Sequence, residues 1–160
     1  MDGATEARQE LLGHMREMLK AVRLLKNDLP AHHPEVPSGT LSVLWMIQSM
    51  AGEPATGCHL KDLAARCALD PSTVSRTVAT LVRSGLVQRT ADPSDGRASV
   101  LSLTAVGHRT LTDVTTWADE RLAAALEEWT PEEITAFTAL MRRFSADLMS
   151  RHHQPLEAAR

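Results

Sequence analysis

Apolar residues recur at helical spacing in two short segments between residues 60 and 82, with a turn between the segments. The first pattern predicts a helix of about two turns with one buried stripe. The second segment opens with Asp70 and Pro71, a favoured N-cap residue followed by a proline at the first helical position. Its apolar residues share one face, and hydroxyl and basic residues occupy the other. The residues predicted to be buried are Leu60, Leu63, Ala64, Cys67, Val74, Val78, Leu81 and Val82.

Two short alternating segments follow the second helix. Gly85 is predicted to end that helix, and residues 86–90 alternate as a half-buried strand does. Turn-forming residues occupy 92–96. Ser99–Leu103 is predicted to return as a second strand, with Val100, Leu101 and Leu103 as candidates for its inward face. Two helices followed by a hairpin indicate a winged helix-turn-helix, in a fold that is mainly α with a small β-hairpin.

Long amphipathic helices are predicted on both sides of this lobe. One apolar stripe extends to Pro30, and a shorter helix is expected from Thr40 to Met50. After Thr104 a helix is expected to continue to about Glu128, with its first turn slightly weakened by Gly107. The stripes of the first and third helices consist of Leu11, Met15, Met18, Val22, Leu25, Leu111, Val114, Ala118, Leu122 and Ala125.

A last helix is predicted after a capping box formed by Thr130 and Glu133. Its heptad-like stripe contains Ile134, Phe137, Met141, Phe144 and Leu148. Because the terminal stripes lack partners in their own segments, we expect these helices to form a dimer. Residues 1–160 are thus expected to form one domain, with dimerisation helices at 5–30 and 105–151, a winged helix-turn-helix lobe at 38–104 and a disordered tail at 152–160.

Composition predicts a protein of the cytoplasm. No apolar run approaches the roughly 20 residues that span a bilayer, and the N-terminus lacks the apolar region of a signal peptide. The net charge is −3, but residues 60–104 hold six Lys and Arg against four Asp and Glu. The acidic excess therefore lies elsewhere in the chain. We find no nucleophile with a base, phosphate loop or metal triad, so neither an enzyme nor a cofactor is expected.

The outer face of the second motif helix is small, hydroxylic and basic, as entry into the major groove requires. A solvated amphipathic helix is the alternative interpretation of this face. Just past the hairpin tip, Arg97 is predicted to lie in the minor groove. Asp95 is expected to hold an arginine in place, or else to bond the amides of its own turn. The candidate DNA-contacting residues are Ser72, Thr73, Ser75, Arg76, Thr80, Arg83 and Arg97.

The run LAARCALDPSTVSRTVATLVRSGLVQRTADPSDGRASVLSLTAVG resembles the signature region of MarR-family transcriptional regulators. The likeness lies in the D-x-S-T-V-S-R opening, the G-L-V strand start, the D-G-R wing and the L-T-x-x-G exit. It implies a homodimeric repressor or activator whose affinity for double-stranded operator DNA responds to a small ligand, an ion or oxidation. We expect a ligand-responsive repressor on a pseudo-palindromic operator, because a dimer presents two recognition helices to two half-sites.

The resemblance also implies an effector pocket between the terminal helices and the DNA-reading lobe. Ordinary core packing is the alternative for every residue considered there. The pocket candidates are His14, Met18, Trp45, Met46, Leu111 and Trp117.

The sequence is also compatible with three other functions. A redox response would need a reactive thiol, and we expect Cys58 to be partly exposed and Cys67 to be buried and inert. A metal response would use histidine or cysteine donors, but the available ones show no spacing of a structural zinc site, and no metal is expected. A winged-helix module that binds only proteins would expose apolar anchors on the second motif helix. The donors considered are His32, His33, Cys58, His59, His108, His152 and His153.

Overall fold

The computed structural model describes residues 3–51, 58–92 and 99–152. Within these ranges it contains helices and one two-stranded antiparallel sheet, which confirms the predicted fold class. In chain order the elements are α1 (Gly3–His32), α2 (Leu41–Ala51), α3 (Leu60–Cys67), α4 (Pro71–Arg83), β1 (Val87–Ala91), β2 (Ser99–Leu103), α5 (Ala105–Ala125) and α6 (Pro131–His152). The chain divides into two compact units, Met1–Thr116 and Trp117–Arg160.

The turn between α3 and α4 is closed by a residue in the left-handed conformation. Ala68 adopts a φ of 50°, and its N–H donates to the Ala65 carbonyl at 3.2 Å. The N–H of Leu69 reaches back to the Ala64 carbonyl, also at 3.2 Å. These bonds satisfy carbonyls at the end of α3 and turn the chain into the start of α4.

Both ends of α4 are fixed by local sequence signals. Asp70 Oδ1 accepts the N–H of Ser72 at 2.8 Å and that of Thr73 at 3.4 Å, which confirms the predicted N-cap. At the other end Gly85 has a φ of 70°, a conformation that glycine adopts without strain. The N–H of Leu86 then donates to the Leu81 carbonyl at 3.0 Å. This is a Schellman cap, and it directs the chain into β1.

The hairpin pairs Val87 with Leu103 at one end and Ala91 with Ser99 at the other. Of the three candidates for the inward face of β2, Leu101 and Leu103 are buried, whereas Val100 is half-buried. The N–H of Leu101 also donates to the Cys58 carbonyl at 2.8 Å. Residue 58 thus forms an isolated bridge beside β2.

The core of the first unit lies behind the outer face of α4. Each large aliphatic side chain buried there contributes roughly 1.5–3 kcal/mol to folding. The cluster consists of Val43, Leu44, Ile47, Met50, Cys58, Leu63, Ala64, Val74, Val78, Leu81, Leu86, Val87, Leu101, Leu103 and Leu111.

The start of α5 is joined to the end of α4 by a close backbone contact. Gly107 lies against the Leu86 carbonyl oxygen, and a Cβ at position 107 would overlap that oxygen. The Thr104 hydroxyl donates to the Gly85 carbonyl at 2.6 Å and accepts the Gly107 N–H at 3.0 Å. The prediction that Gly107 merely weakens the helix was therefore incomplete, because glycine is required for this approach.

α1 continues to His32, two residues beyond the predicted end at Pro30. The φ of proline is compatible with a helix, and the His33 N–H donates to the Leu29 carbonyl at 2.7 Å to close the last turn. His32 is therefore helical, beyond the predicted end of the stripe. The apolar stripe of α1 is largely exposed, including Leu11, Met18 and Val22.

In the second unit, the capping box of α6 is confirmed. The Thr130 N–H donates to Glu133 Oε2 at 2.8 Å, and the Glu133 N–H donates to Thr130 Oγ1 at 3.2 Å. The Trp129 and Phe137 rings meet edge to face at 5.6 Å between centroids. Much of the α6 stripe is exposed, as are other apolar residues of the helix. The exposed large apolar residues of α6 are Phe137, Leu140, Met141, Phe144, Leu148 and Met149.

α5 ends at Ala125, short of the predicted limit near Glu128. The Leu126 N–H is shared between the Leu122 and Ala123 carbonyls, which tightens the last turn. The inward stripe was correct for Leu111 and Val114, which are buried. It was wrong for Leu122 and Ala125, which are exposed in this chain. Among the described residues, none of the helices has the length and apolar character needed to span a bilayer.

Candidate nucleic-acid interface

The outer face of α4 combines positive charge with small polar side chains. Arg76 and Arg83 are exposed, and Val74, Val78 and Leu81 hold the opposite face in the core. Ser72 and Thr73 are exposed at the N-terminal end, whereas Ser75 and Thr80 are half-buried. No large apolar side chain of Pro71–Arg83 is exposed. This helix therefore presents a polar, basic surface, without the apolar anchors expected of a protein-binding module.

Two predicted DNA-contacting hydroxyls already have intramolecular roles. The Ser72 hydroxyl bonds the Asp70 carboxylate, and this bond, together with the Ser72 N–H, holds the pKa of Asp70 below its ordinary value. The Thr80 hydroxyl donates to the Arg76 carbonyl at 3.1 Å and accepts from the Arg83 guanidinium at 2.9 Å. Thr80 therefore orients Arg83.

The hairpin that follows α4 in the chain also carries exposed polar residues. Four of the five β1 residues are exposed, among them Arg89. Arg97 and Asp95, predicted to contact the minor groove and to support that contact, lie outside the described residues. Their roles stay predictions.

His59, which the sequence suggests only as a candidate metal donor, contacts residues on both sides of the hairpin turn. His59 Nε2 lies 3.2 Å from Asp92 Oδ2, and His59 Nδ1 lies 3.3 Å from the Ser99 carbonyl oxygen. Neither contact follows from local sequence periodicity. The sequence signals for this contact were two ionisable residues, His59 directly before the motif and Asp92 at the start of the hairpin turn.

Two cavities of the first unit share the Trp45 side chain. The larger, about 240 Å³, is lined by residues of α1, the following loop and α2, including Lys26, Leu29 and Val36. The smaller, about 180 Å³, lies between α2 and α5. Its lining residues are Trp45, Gln48, His108, Leu111, Thr112 and Thr115.

Of the six predicted pocket residues, the structure brings Trp45 and Leu111 to the smaller cavity. His14 is exposed and lies 3.9 Å from Glu10, and Met18 is also exposed. Met46 packs against the core. Trp117, in the second unit, lies beneath the Arg121 guanidinium at 5.2 Å.

Gln48, which lines the smaller cavity, carries a buried acceptor that apolar periodicity does not reveal. Gln48 Oε1 is buried and has no hydrogen-bond partner within the described ranges. The Thr112 hydroxyl donates to the His108 carbonyl at 3.0 Å, and that of Thr115 to the Leu111 carbonyl at 2.7 Å. The hydroxyl protons of Thr112 and Thr115 are thus donated to backbone carbonyls of α5.

The two cysteines differ from expectation. Cys58, predicted to be partly exposed, is 1% exposed because its backbone bridges to Leu101 inside the core. Burial, with smaller contributions from Cys67 and Asp62, raises the pKa of the Cys58 thiol to about 11. Cys67 is half-buried rather than buried, and burial also raises its thiol pKa. Among residues 3–51, 58–92 and 99–152, no cluster of three or more potential metal ligands occurs.

Comparison with known proteins gives consistent results. Residues 36–98 match the model of the MarR family. An uncharacterized HTH-type transcriptional regulator, YxaD of Bacillus subtilis (strain 168), is 37% identical over 87 residues. The aligned part covers 54% of this chain and 61% of that relative.

Solved structures share the fold over most of their length. A MarR family protein from Bacillus stearothermophilus aligns with a TM-score of 0.75 and 21% identity, covering 93% of this chain and 99% of that one. The PcaV transcriptional regulator from Streptomyces coelicolor, solved with its natural ligand, aligns with a TM-score of 0.60 and 29% identity. That alignment covers 84% of this chain and 91% of PcaV. Residues 36–98 thus resemble the MarR family in sequence, and the chain shares its fold with solved MarR-family structures.

Proposed function

We propose that the chain is a sequence-specific regulator of transcription that binds double-stranded DNA as a homodimer. The observation that carries this proposal is the outer face of α4, where exposed Arg76 and Arg83 stand on a helix whose other face is locked in the core. A rigid helix with small polar and arginine side chains suits the major groove. Ser72, Thr73, Ser75 and Thr80 complete the proposed contact or support surface. Such a regulator would act in the cytoplasm.

The dimer is proposed from apolar side chains that remain exposed in the single chain. On the α1 stripe these include Leu11, Met18 and Val22, and on the α6 stripe they include Phe144 and Leu148. Large contiguous apolar surface is unusual on a monomer and common at obligate interfaces. A second copy of this chain would cover both stripes and place two α4 helices on one duplex.

A footprint on DNA upstream of the chain's own coding sequence tests this proposal. Two protected half-sites, with centres about one helical turn or a multiple of it apart, are expected from the dimer. Protection of one unpaired half-site by a monomer, or no protection at low salt, contradicts it. A matched duplex with one half-site scrambled serves as the control and should bind weakly.

We further propose that the protein is a repressor released by a small effector bound between α2 and α5. The Trp45 ring and Leu111 form apolar walls of the smaller cavity. Gln48, which also lines it, has a buried Oε1 acceptor without a hydrogen-bond partner among the described residues. These features fit a small planar molecule that carries a hydrogen-bond donor. PcaV, whose fold is shared, is described with a natural ligand, which supports an effector in this fold.

Phenol and anisole form a matched pair of probes for this cavity, because they differ by the donor proton. Phenol should raise the unfolding temperature more than anisole does, and Gln48→Met should remove that difference. Equal effects of the two probes on the wild-type protein would contradict a donor-specific site.

A further inference from the structure

His59 connects three separate parts of the DNA-binding lobe. It directly precedes α3, and its ring nitrogens face the Asp92 carboxylate at 3.2 Å and the Ser99 carbonyl at 3.3 Å. The side chains of His59 and Asp92 are only 24% and 12% exposed. Partial burial makes such a pair less screened than a surface ion pair.

The two partners of His59 stand at the positions where the chain leaves and rejoins the hairpin. Ala91 opposite Ser99 is the last residue pair of the strand register, and Asp92 follows directly. Residue 58, the neighbour of His59, is itself bonded to β2 through its carbonyl and the Leu101 N–H at 2.8 Å. His59 therefore adds a side-chain link at the turn end of a hairpin that the backbone already joins to the segment before α3.

We propose that His59 is a positioning residue for the wing, acting through Asp92 and Ser99 rather than through DNA. This inference rests on the proposed DNA-binding function. The segment between the two partners contains Arg97, the predicted minor-groove residue. By linking Asp92 and Ser99 to the residue before α3, His59 holds the turn end of β1 and β2 against the helix on which α4 packs.

The chemistry of the ring suits this role. The Asp92 carboxylate and the Ser99 carbonyl are both acceptors, so each nitrogen that carries a proton can donate to one of them. An alanine at position 59 removes both links. A glutamine retains an amide N–H that can reach one acceptor, which makes His59→Gln the conservative variant.

Two measurements on the full chain test the proposal. The first is affinity for a mixed-sequence duplex at low salt, where His59→Ala should weaken binding about tenfold, His59→Gln less, and Asp92→Asn to an intermediate extent. The second is amide hydrogen exchange without DNA, where the Leu101 and Thr90 amides should exchange faster in His59→Ala while the Val78 and Leu81 amides keep their protection.

His33→Ala is the matched control, because His33 Nδ1 contacts Glu35 at the same 3.2 Å outside the lobe's hairpin. It should leave both measurements unchanged. Unchanged affinity and unchanged exchange in His59→Ala would overturn the proposal, as would equal losses in the alanine and glutamine variants. If the wild-type protein binds no duplex, the proposed function is wrong, and the exchange experiment still decides whether His59 orders the hairpin.

Discussion

Gly107 lies directly against the carbonyl oxygen of Leu86, with no room for a Cβ between them. The Thr104 hydroxyl completes this junction through the Gly85 carbonyl and the Gly107 N–H. The start of α5 is thus joined by backbone atoms to the end of α4.

Gly107→Ala should therefore destabilise the protein by about 2 kcal/mol, since the new methyl group must displace backbone rather than a flexible side chain. Urea unfolding measures this change. Gly13→Ala is the control, because nothing lies within 4 Å of a Cβ at that helical position. It should be neutral or stabilising by about 0.5–1 kcal/mol, as expected for alanine in a helix. Equal effects of the two substitutions would contradict the close contact.

The Asp70 cap should make stability depend on pH in acid. Its pKa is lowered in the folded protein by bonds from the Ser72 hydroxyl and N–H. The contribution is therefore fully present above the ordinary value of 3.8 and is lost as the pH falls from there through the lowered folded pKa. Urea midpoints should differ clearly between wild type and Asp70→Ala at neutral pH and converge in strong acid. A difference that does not vary with pH would exclude the charged cap.

The buried Cys58 thiol should be unreactive in the folded protein. The thiolate is the nucleophile, and burial raises the pKa of Cys58 to about 11. Iodoacetamide near neutral pH should modify Cys58 only after unfolding, and mild peroxide should leave DNA affinity unchanged. Rapid modification of Cys58 in the native state would instead support the redox alternative. Cys58→Ala provides the background rate.

The α6 stripe should govern self-association. Phe144→Glu places a charge on the exposed apolar face and should convert the proposed dimer to a folded monomer, which analytical ultracentrifugation and circular dichroism would detect. Ala146→Glu places the same charge on the opposite side of the helix and should remain dimeric. If both variants remained dimers, the proposed interface on this face of α6 would be contradicted.

Local signals predicted the elements around the motif well. Asp70 with Pro71 and Gly85 act through bonds to residues within one turn, so the bounds of α4 follow from sequence alone. The burial of Cys58 and the need for glycine at position 107 depend on partners far along the chain, at Leu101 and Leu86. No periodic pattern carries that information.

The candidate site was predictable to a similar degree. The exposed face of α4 follows from helical periodicity, so Arg76 and Arg83 stand where they were expected. The link through His59 and the unpaired Gln48 oxygen arise from packing between separate elements. Trp45 and Leu111 could be predicted, as a large ring among aliphatic residues and as a member of an apolar stripe, respectively. The other residues that line the cavity are polar, so the apolar stripes do not include them.

The affinity of Arg76 variants for the upstream DNA tests the central claim most directly. At fixed salt, Arg76→Ala should weaken specific binding by about 1–3 kcal/mol and relax sequence preference, because a base contact is lost. Arg142→Ala, which removes an exposed arginine of α6, is the matched control and should bind as the wild type does. Wild-type affinity and wild-type sequence preference in Arg76→Ala would contradict the claim that the outer face of α4 reads DNA.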